Sequence, residues 1–298
     1  MYPAPFNYFR PSSLEDAIAL LIELDEDCKI MSGGQSLIPM MKLRVGEPAP
    51  VVDIARIPDL SYIKQVGDVI HIGALTPHQK IANSDIAASL PFLKDCGGGI
   101  ADHQVRSRGT IGGSVSAADP NCDWPTLMKA LNADIVCTGP KGERVINIAD
   151  FIVDAYTTTI EPAELVTEVR FTLPAGNQSG AYVVFKKSAP AYPSASAAVF
   201  LELDENNICR QASFALGCAA PVAVRSSSAE AYLVGKAVTE DNLEHTAQQL
   251  VACAQPKSNA QNSEEYQIKL LTAVFIEAAN RTISRCHNET VTKGHLYA

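Results

Sequence analysis

The chain has 298 residues, of which 47% are hydrophobic and 19% charged, which excludes a disordered protein and allows two domains with a sizeable core. The formal net charge of −9 excludes nucleic acid or an anionic membrane as electrostatic partners, so any anionic ligand has to be gripped by local amides, helix N-termini or a few placed cations. The first ten residues carry no apolar run and no stretch approaches the ~20 apolar residues of a membrane span, so neither a signal peptide nor a bilayer helix is expected.

Ser12 and Glu15 fit a capping box ahead of a helix over Leu14–Leu24, whose apolar positions Leu14, Ile18, Leu21 and Ile22 share one face. A short strand at Cys28–Met31 runs directly into Gly33-Gly34, and helical spacing resumes over Ser36–Leu43. Val51–Ile54 and Val69–Ala74 read as strands. Thr76-Pro77 opens a helix with Thr76 as N-cap, and Pro91 opens another that runs into Gly97-Gly98-Gly99. Beyond a second glycine segment, Thr110–Asn121, come a helix at Trp124–Leu131 and strands at Asp134–Thr138 and Arg144–Ile148 around the Pro140-Lys141-Gly142 turn. The texture changes near residue 176. Before it strands and helices alternate; after it come three β-like runs (Ala181–Lys187, Ser194–Leu203, Ile208–Gly217) and then helices near 226–234, 240–253 and 263–287. Segregated strands and helices predict a separate α+β domain.

The eight cysteines stand apart at 28, 96, 122, 137, 209, 218, 253 and 286, with no C-x-x-C pair, so free thiols are expected and no metal is assigned to this chain. The six histidines show no ligand spacing; His71 falls on a strand, His78 at a helix start, and His245, His287 and His295 are expected at the surface. Trp124 is expected in the core. Arg106 and Arg108 flank the second glycine segment, where a phosphate, a partner or solvent would each suit them.

The chemistry concentrates in the two glycine segments, Met31–Pro39 and Gly109–Pro120. Paired glycines admit a ligand close to the backbone and permit positive φ. Consecutive amides there can form an anion nest that a following helix N-terminus reinforces, and two such loops would clamp a pyrophosphate from two sides. An ordinary turn is the alternative at each. Neither G-x-G-x-x-G nor G-x-x-x-x-G-K-[ST] is present. Gly34-Gln35-Ser36-Leu37-Ile38 opens like a nucleophile elbow but ends on Ile38 where a glycine is required, so Ser36 is not a nucleophile candidate.

The stretch Ser32-Gly33-Gly34-Gln35-Ser36-Leu37-Ile38-Pro39-Met40-Met41-Lys42-Leu43-Arg44 resembles the first FAD loop of the flavoprotein subunits of carbon monoxide dehydrogenase and other molybdenum hydroxylases. Gln104 to Gly113, followed by Ala118-Asp119-Pro120 and Asp123, resembles their second FAD loop, and Ile72–Thr76 and Glu161–Thr167 are further echoes. The resemblance, which runs almost end to end, implies an α+β protein with a PCMH-type (vanillyl-alcohol-oxidase-like) FAD-binding fold over residues 1–176, with subdomains about 1–57 and 58–176. A C-terminal α+β domain over 177–298 would hold a three-stranded antiparallel sheet plus helices.

By the same resemblance the FAD pyrophosphate is held by Ser32, Gly33, Gly34, Gln35, Ser36 and Leu37 and by Thr110, Ile111, Gly112, Gly113 and Ser114. Asp123 would contact the nucleotide part, Ile100 and Ala101 lie near the flavin ring, Leu165 offers backbone near its polar edge, and Tyr192 lies by the isoalloxazine. Val184 stands where the family often has a lysine, and Lys186, two residues on and on the same strand face, is the expected substitute. Gln35 replaces a frequent histidine, Ser114 an asparagine and Ala191 an aspartate, so the glycine loops match better than the C-terminal half of the site.

The implied function is electron transfer. Substrate would be oxidised at a molybdenum cofactor on one partner subunit, electrons would cross 2Fe–2S clusters on another, and FAD here would pass them on. A cytoplasmic dimer of heterotrimers follows from the resemblance, and no catalytic residue is assigned. A flavin-free scaffold subunit and a self-sufficient flavin oxidase are the alternatives.

Overall fold

The computed structural model describes residues 2–24, 28–45, 49–174, 176–258, 262–291 and 295–297. Three layers of sheet and helix stack along it.

A three-stranded parallel sheet, ordered Tyr8–Phe9, Val51–Asp53, Lys29–Met31, is covered by the Leu14–Leu24 helix. Ala17 and Leu21 of that helix bury against Val52, Ile54 and Ile57. The helix starts where its sequence predicts, but Ser13 rather than Ser12 accepts the Asp16 amide (3.0 Å), while Ser12 bonds the Asp16 carboxylate.

The second layer is a five-stranded antiparallel sheet, ordered Ile63–Val66, Val69–Gly73, Leu165–Thr172, Asp134–Gly139, Gly142–Asn147. Six short helices between residues 78 and 130 pack on it through Ile81, Phe92, Leu93, Ile111, Trp124 and Leu127. Thr76 does not cap the first of these. Its hydroxyl donates to the Tyr62 carbonyl (3.0 Å), and Pro77 precedes the His78–Ala82 helix without a side-chain cap.

The third layer is the sheet Cys209–Gly217, Ala195–Leu203, Gln178–Lys186, to which Leu296–Tyr297 adds a fourth, parallel strand. Its two faces divide by residue parity. Tyr182, Val184, Ala198, Phe200 and Ala215 join the core of the second layer, whereas Val183, Ala197, Val199, Phe214 and Leu216 bury against the helices Ser227–Leu233, Glu240–Ala254 and Glu264–Cys286.

The third layer also grips one helix of the second. Arg285 forms a two-armed ion pair with Asp95 (2.6 and 2.9 Å) and donates to the Gly180 carbonyl (2.7 Å). Asp95 lies on the Pro91–Gly99 helix, whose last carbonyl, that of Gly99, accepts a hydrogen bond from buried Lys186. A cation on the final carbonyl suits the helix dipole. His295 is not a surface residue: its ring packs on Gly99, and its Nδ1 is buried without a partner among the described residues. Burial lowers its pKa to about 4.

Candidate functional site

The first glycine segment leaves the Lys29–Met31 strand and enters the seven-residue helix Leu37–Leu43. Gly34 turns the chain at φ +73°, a conformation costly for any residue with a Cβ. Gln35 folds back so that its amide donates to the Gly33 carbonyl (3.1 Å). The backbone N–H groups of Gly33, Gly34, Gln35 and Ser36 donate no hydrogen bond to any described residue. That is an open row of donors at a half-exposed loop.

The second segment has the same composition and the opposite economy. It forms a seven-residue helix, Ile111–Ala117, with Thr110 as N-cap. The Gly113 amide goes to the Thr110 hydroxyl (3.1 Å), the Ile111 amide to the Thr76 carbonyl (3.2 Å) and the Gly112 amide to the Ala74 carbonyl (2.9 Å). A Cβ on Gly112 would stand 2.5 Å from the Ala74 Cβ and 2.7 Å from its carbonyl oxygen, so this glycine serves packing against the sheet. Gly109 lies on the ring of His78, whose Nε2 is 2.6 Å from where a Cβ would be. His78 is buried, accepts the Trp124 indole N–H on Nδ1 (3.0 Å), and burial holds its pKa at about 3. The nest expected of loop two is therefore closed, because its amides are spent on the chain itself. Its contribution to a ligand is hydroxyl groups.

The two segments meet. Gly33 abuts the carbonyl of Arg108 and the Cα of Gly109 so closely that a Cβ there would collide with backbone. The Ser32 and Thr110 hydroxyls are 2.7 Å apart. Tyr192, on the third layer, is 57% exposed. Ser32 to Ser36 of loop one thus lie directly against Thr110 and Gly113 of loop two.

The remaining predicted residues lie elsewhere. Leu37 is half-buried at the helix start. Ile111 and Gly112 form the buried back of loop two. Ile100 and Ala101 follow the Pro91–Gly99 helix, and both carbonyls accept from the Arg106 guanidinium (2.9 and 3.1 Å), with Ala101 at φ +39°. Arg106 is thereby a backbone clamp. Asp102 caps the next helix by accepting the Val105 amide (2.9 Å). Lys186 is buried and spent on Gly99. Leu165 buries its side chain with Leu75 and pairs its backbone with Thr138. Asp123 is buried and accepts the Tyr182 hydroxyl (3.1 Å); burial raises its pKa to about 6, against the pull of Lys186 and Tyr182.

Sequence reasoning missed that Tyr156 returns to the end of loop two, its amide donating to the Ala118 carbonyl (2.8 Å); no local signal announces this meeting.

An open amide row, two facing hydroxyls and a turn only glycine makes cheaply suit a phosphate group, in a chain otherwise charged against anions. Fold and site together have the character of a protein suited to an anionic ligand. Residues 4–174 match the model of the family described as the FAD binding domain in molybdopterin dehydrogenase, and residues 180–282 that of the CO dehydrogenase flavoprotein C-terminal domain. The chain belongs to this family of FAD-binding medium subunits of molybdenum hydroxylases, which are oxidoreductase subunits. It is 37% identical to the carbon monoxide dehydrogenase medium chain of Afipia carboxidovorans, over 97% of this chain and all of that one. It is 32% identical to subunit alpha of the 6-hydroxypseudooxynicotine dehydrogenase complex of Paenarthrobacter nicotinovorans, over 99% and 100%. Among solved structures it superposes on the carbon monoxide dehydrogenase of Hydrogenophaga pseudoflava with a TM-score of 0.92 at 35% identity, covering 96% of this chain and all of that one. No helix among the described residues is long and apolar enough to cross a membrane, and none of their His, Cys, Asp and Glu groups is arranged to hold a metal ion.

Proposed function

We propose that this chain binds FAD between its two glycine segments and relays electrons from an iron–sulfur subunit to an external acceptor, in a cytoplasmic complex with a molybdenum-cofactor subunit assembled as a dimer of heterotrimers. The observation that carries the reading is the open amide row of Gly33 to Ser36 facing the Ser32 and Thr110 hydroxyls. Bound there, FAD supplies redox chemistry that no side chain of this protein has.

The chain's own part is binding and orientation. Loop one donates amides to the pyrophosphate and loop two supplies Thr110 and Ser114 hydroxyls. Ile111, Gly112 and Gly113 hold loop two at its height. Ile100 and Ala101, pinned by Arg106, form the floor under the flavin ring, and Lys186 fixes that floor from beneath through Gly99. Tyr192 covers the ring. Leu165 acts through its backbone only. Asp123 reaches the nucleotide in competition with Tyr182. Residues 1–176 form the FAD-binding domain and 177–298 the second domain, which supports the floor and supplies the cover.

The experiment is reconstitution. Purified chain should take up FAD to near one equivalent and turn yellow. Gly34→Val should fold with the wild-type far-ultraviolet spectrum and lose most of the flavin, because a branched residue at φ +73° redirects the amide row. Full flavin in Gly34→Val would remove loop one from the site, and a wild-type chain that stays colourless would favour a flavin-free scaffold.

A further inference from the structure

Three consecutive carbonyls follow the Pro91–Gly99 helix outward, and each is held by a cation. Lys186 donates to that of Gly99 (2.5 Å), and Arg106 to those of Ile100 (2.9 Å) and Ala101 (3.1 Å). Ala101 sits at φ +39°, a conformation an alanine keeps only where its surroundings impose it. The helix itself is anchored by the Asp95–Arg285 ion pair. The Cα of Gly99 is covered separately, by the ring of His295. A Cβ on Gly99 would collide with Nε2 of that ring and stand 2.6 Å from Cε1 and 2.8 Å from Cδ2. His295 arrives from far along the chain. Leu296 and Tyr297 pair in parallel with Phe185 and Lys186 at the edge of the third layer. Leu296 and Phe185 both pack against the core of the third-layer helices, so the residue before Leu296 points the other way, toward the second layer. Two neighbouring strands thus send an ammonium to the Gly99 carbonyl and a ring to its Cα. The ring's Nδ1 is buried without a partner among the described residues, which costs stability, so what the ring props explains its presence better than what it gains.

We propose that His295 is a positioning residue for the flavin: lying against Gly99, it sets the height of the Ile100–Ala101 turn under the isoalloxazine. The inference rests on the proposed FAD site, whose floor this turn is. Hydrogen bonds from Lys186 and Arg106 fix where the three carbonyls point, but a hydrogen bond resists displacement mainly along its own direction. A close-packed ring on the Cα resists movement toward the third layer, because a packed interior yields little. His295 acts only through Gly99. The strand that carries it ties the far end of the chain to the floor of the site.

The test compares His295→Ala, Gly99→Ala and the double variant in the full chain, by the Kd for FAD, the visible circular dichroism of the bound flavin and the Tm of the flavin-free chain. His295→Ala should fold, since Lys186, Arg106 and Arg285 still hold the turn and its helix. It should weaken FAD binding roughly fivefold and alter the flavin dichroism. Gly99→Ala drives a methyl into the ring and should weaken binding further. In the double variant the methyl meets no ring, so binding should return to the level of His295→Ala alone. A purely structural role would lower Tm and leave the Kd of the folded chain unchanged. Wild-type Kd and dichroism in His295→Ala, whatever its Tm, therefore overturn the assignment while leaving the FAD site standing. Additive losses in the double variant overturn it too, because ring and glycine would then act independently. If Gly99→Ala fails to fold, His295→Ala decides alone. A wild-type chain that takes up no FAD overturns the FAD site itself and this inference with it.

Discussion

Loops one and two look alike on paper, each a Gly-Gly segment with serine or threonine at its edges, yet their backbones do different work. Loop one keeps its amides free at the surface, and its glycine at positive φ is Gly34. Loop two buries its glycines against Ala74 and His78 and spends its amides on Thr76, Ala74 and Thr110. One loop is built to receive a ligand and the other to hold a fixed wall opposite it. A shared composition therefore says little about which glycine binds and which one packs. What separates them is where each amide hydrogen goes.

The sharpest way to break that contrast is Gly112→Val. Its side chain would be driven into the Ala74 backbone, which has no rotamer with which to yield. We expect a loss of about 3 kcal/mol and a fall in Tm of roughly 6–10 °C for the flavin-free chain. Gly34→Val meets the flexible Ile38 and Met31 side chains, and its positive φ costs about 1–2 kcal/mol, so it should lose less. Equal melting temperatures for the two variants would erase the distinction. Gly113 falls between them: its φ is ordinary and the nearest atom to a Cβ is the Thr110 hydroxyl at 3.0 Å, so a valine there would disturb the cap rather than strain the backbone.

A second, smaller effect isolates the support of loop two. The folded-state pKa of His78 is held at about 3 by burial, well under the ordinary 6.5. Between those values the unfolded chain binds a proton that the folded chain refuses, so stability falls as pH drops below 6.5. From pH 6.5 to 5 the loss is about 2 kcal/mol. His78→Gln retains an acceptor for the Trp124 indole and does not titrate. Urea unfolding at pH 7 and pH 5 should therefore show a steeper loss in wild type than in His78→Gln. Parallel losses would mean that His78 does not hold up loop two as a buried neutral ring.

Much of this frame is legible in the sequence, and what escapes it has physical reasons. The helices from Leu14, Pro91 and Trp124 and the three long strands after residue 176 are long or periodic enough to announce themselves. The Leu165–Thr172 strand also carries its signal, with Val169 and Phe171 alternating against Glu168 and Arg170, but it lies next to a motif that draws the eye to Glu161 instead. Two-residue strands such as Tyr8–Phe9 and Leu296–Tyr297 exist only because a partner edge is there to pair with. The candidate site divides the same way. Its glycines and hydroxyls are visible as letters. The engagement of loop-two amides, the burial of Asp123 under Tyr182 and the meeting of Tyr156 with Ala118 are products of tertiary placement that no spacing encodes.

Tyr192 offers the smallest effect and the finest view of loop one. It lies between flanking prolines in Ala189-Pro190-Ala191-Tyr192-Pro193, which restrict the backbone that aims it. Its ring is 57% exposed. On the proposed reading it covers the flavin without donating to the phosphates. Removing the ring should leave the phosphates gripped and only the flavin uncovered, so Tyr192→Ala is expected to retain most of its FAD. Its flavin emission should rise, because an aromatic quencher is gone, and reoxidation by oxygen should quicken by roughly twofold to fivefold as water and oxygen gain access. Tyr192→Phe separates ring from hydroxyl: it should restore the quenching, so any loosening of FAD in Tyr192→Phe measures what the hydroxyl alone contributes. If Tyr192→Ala matched wild type in emission, visible spectrum and reoxidation, the ring would not stand over the flavin, and loop one would be a site with no cover from the third layer.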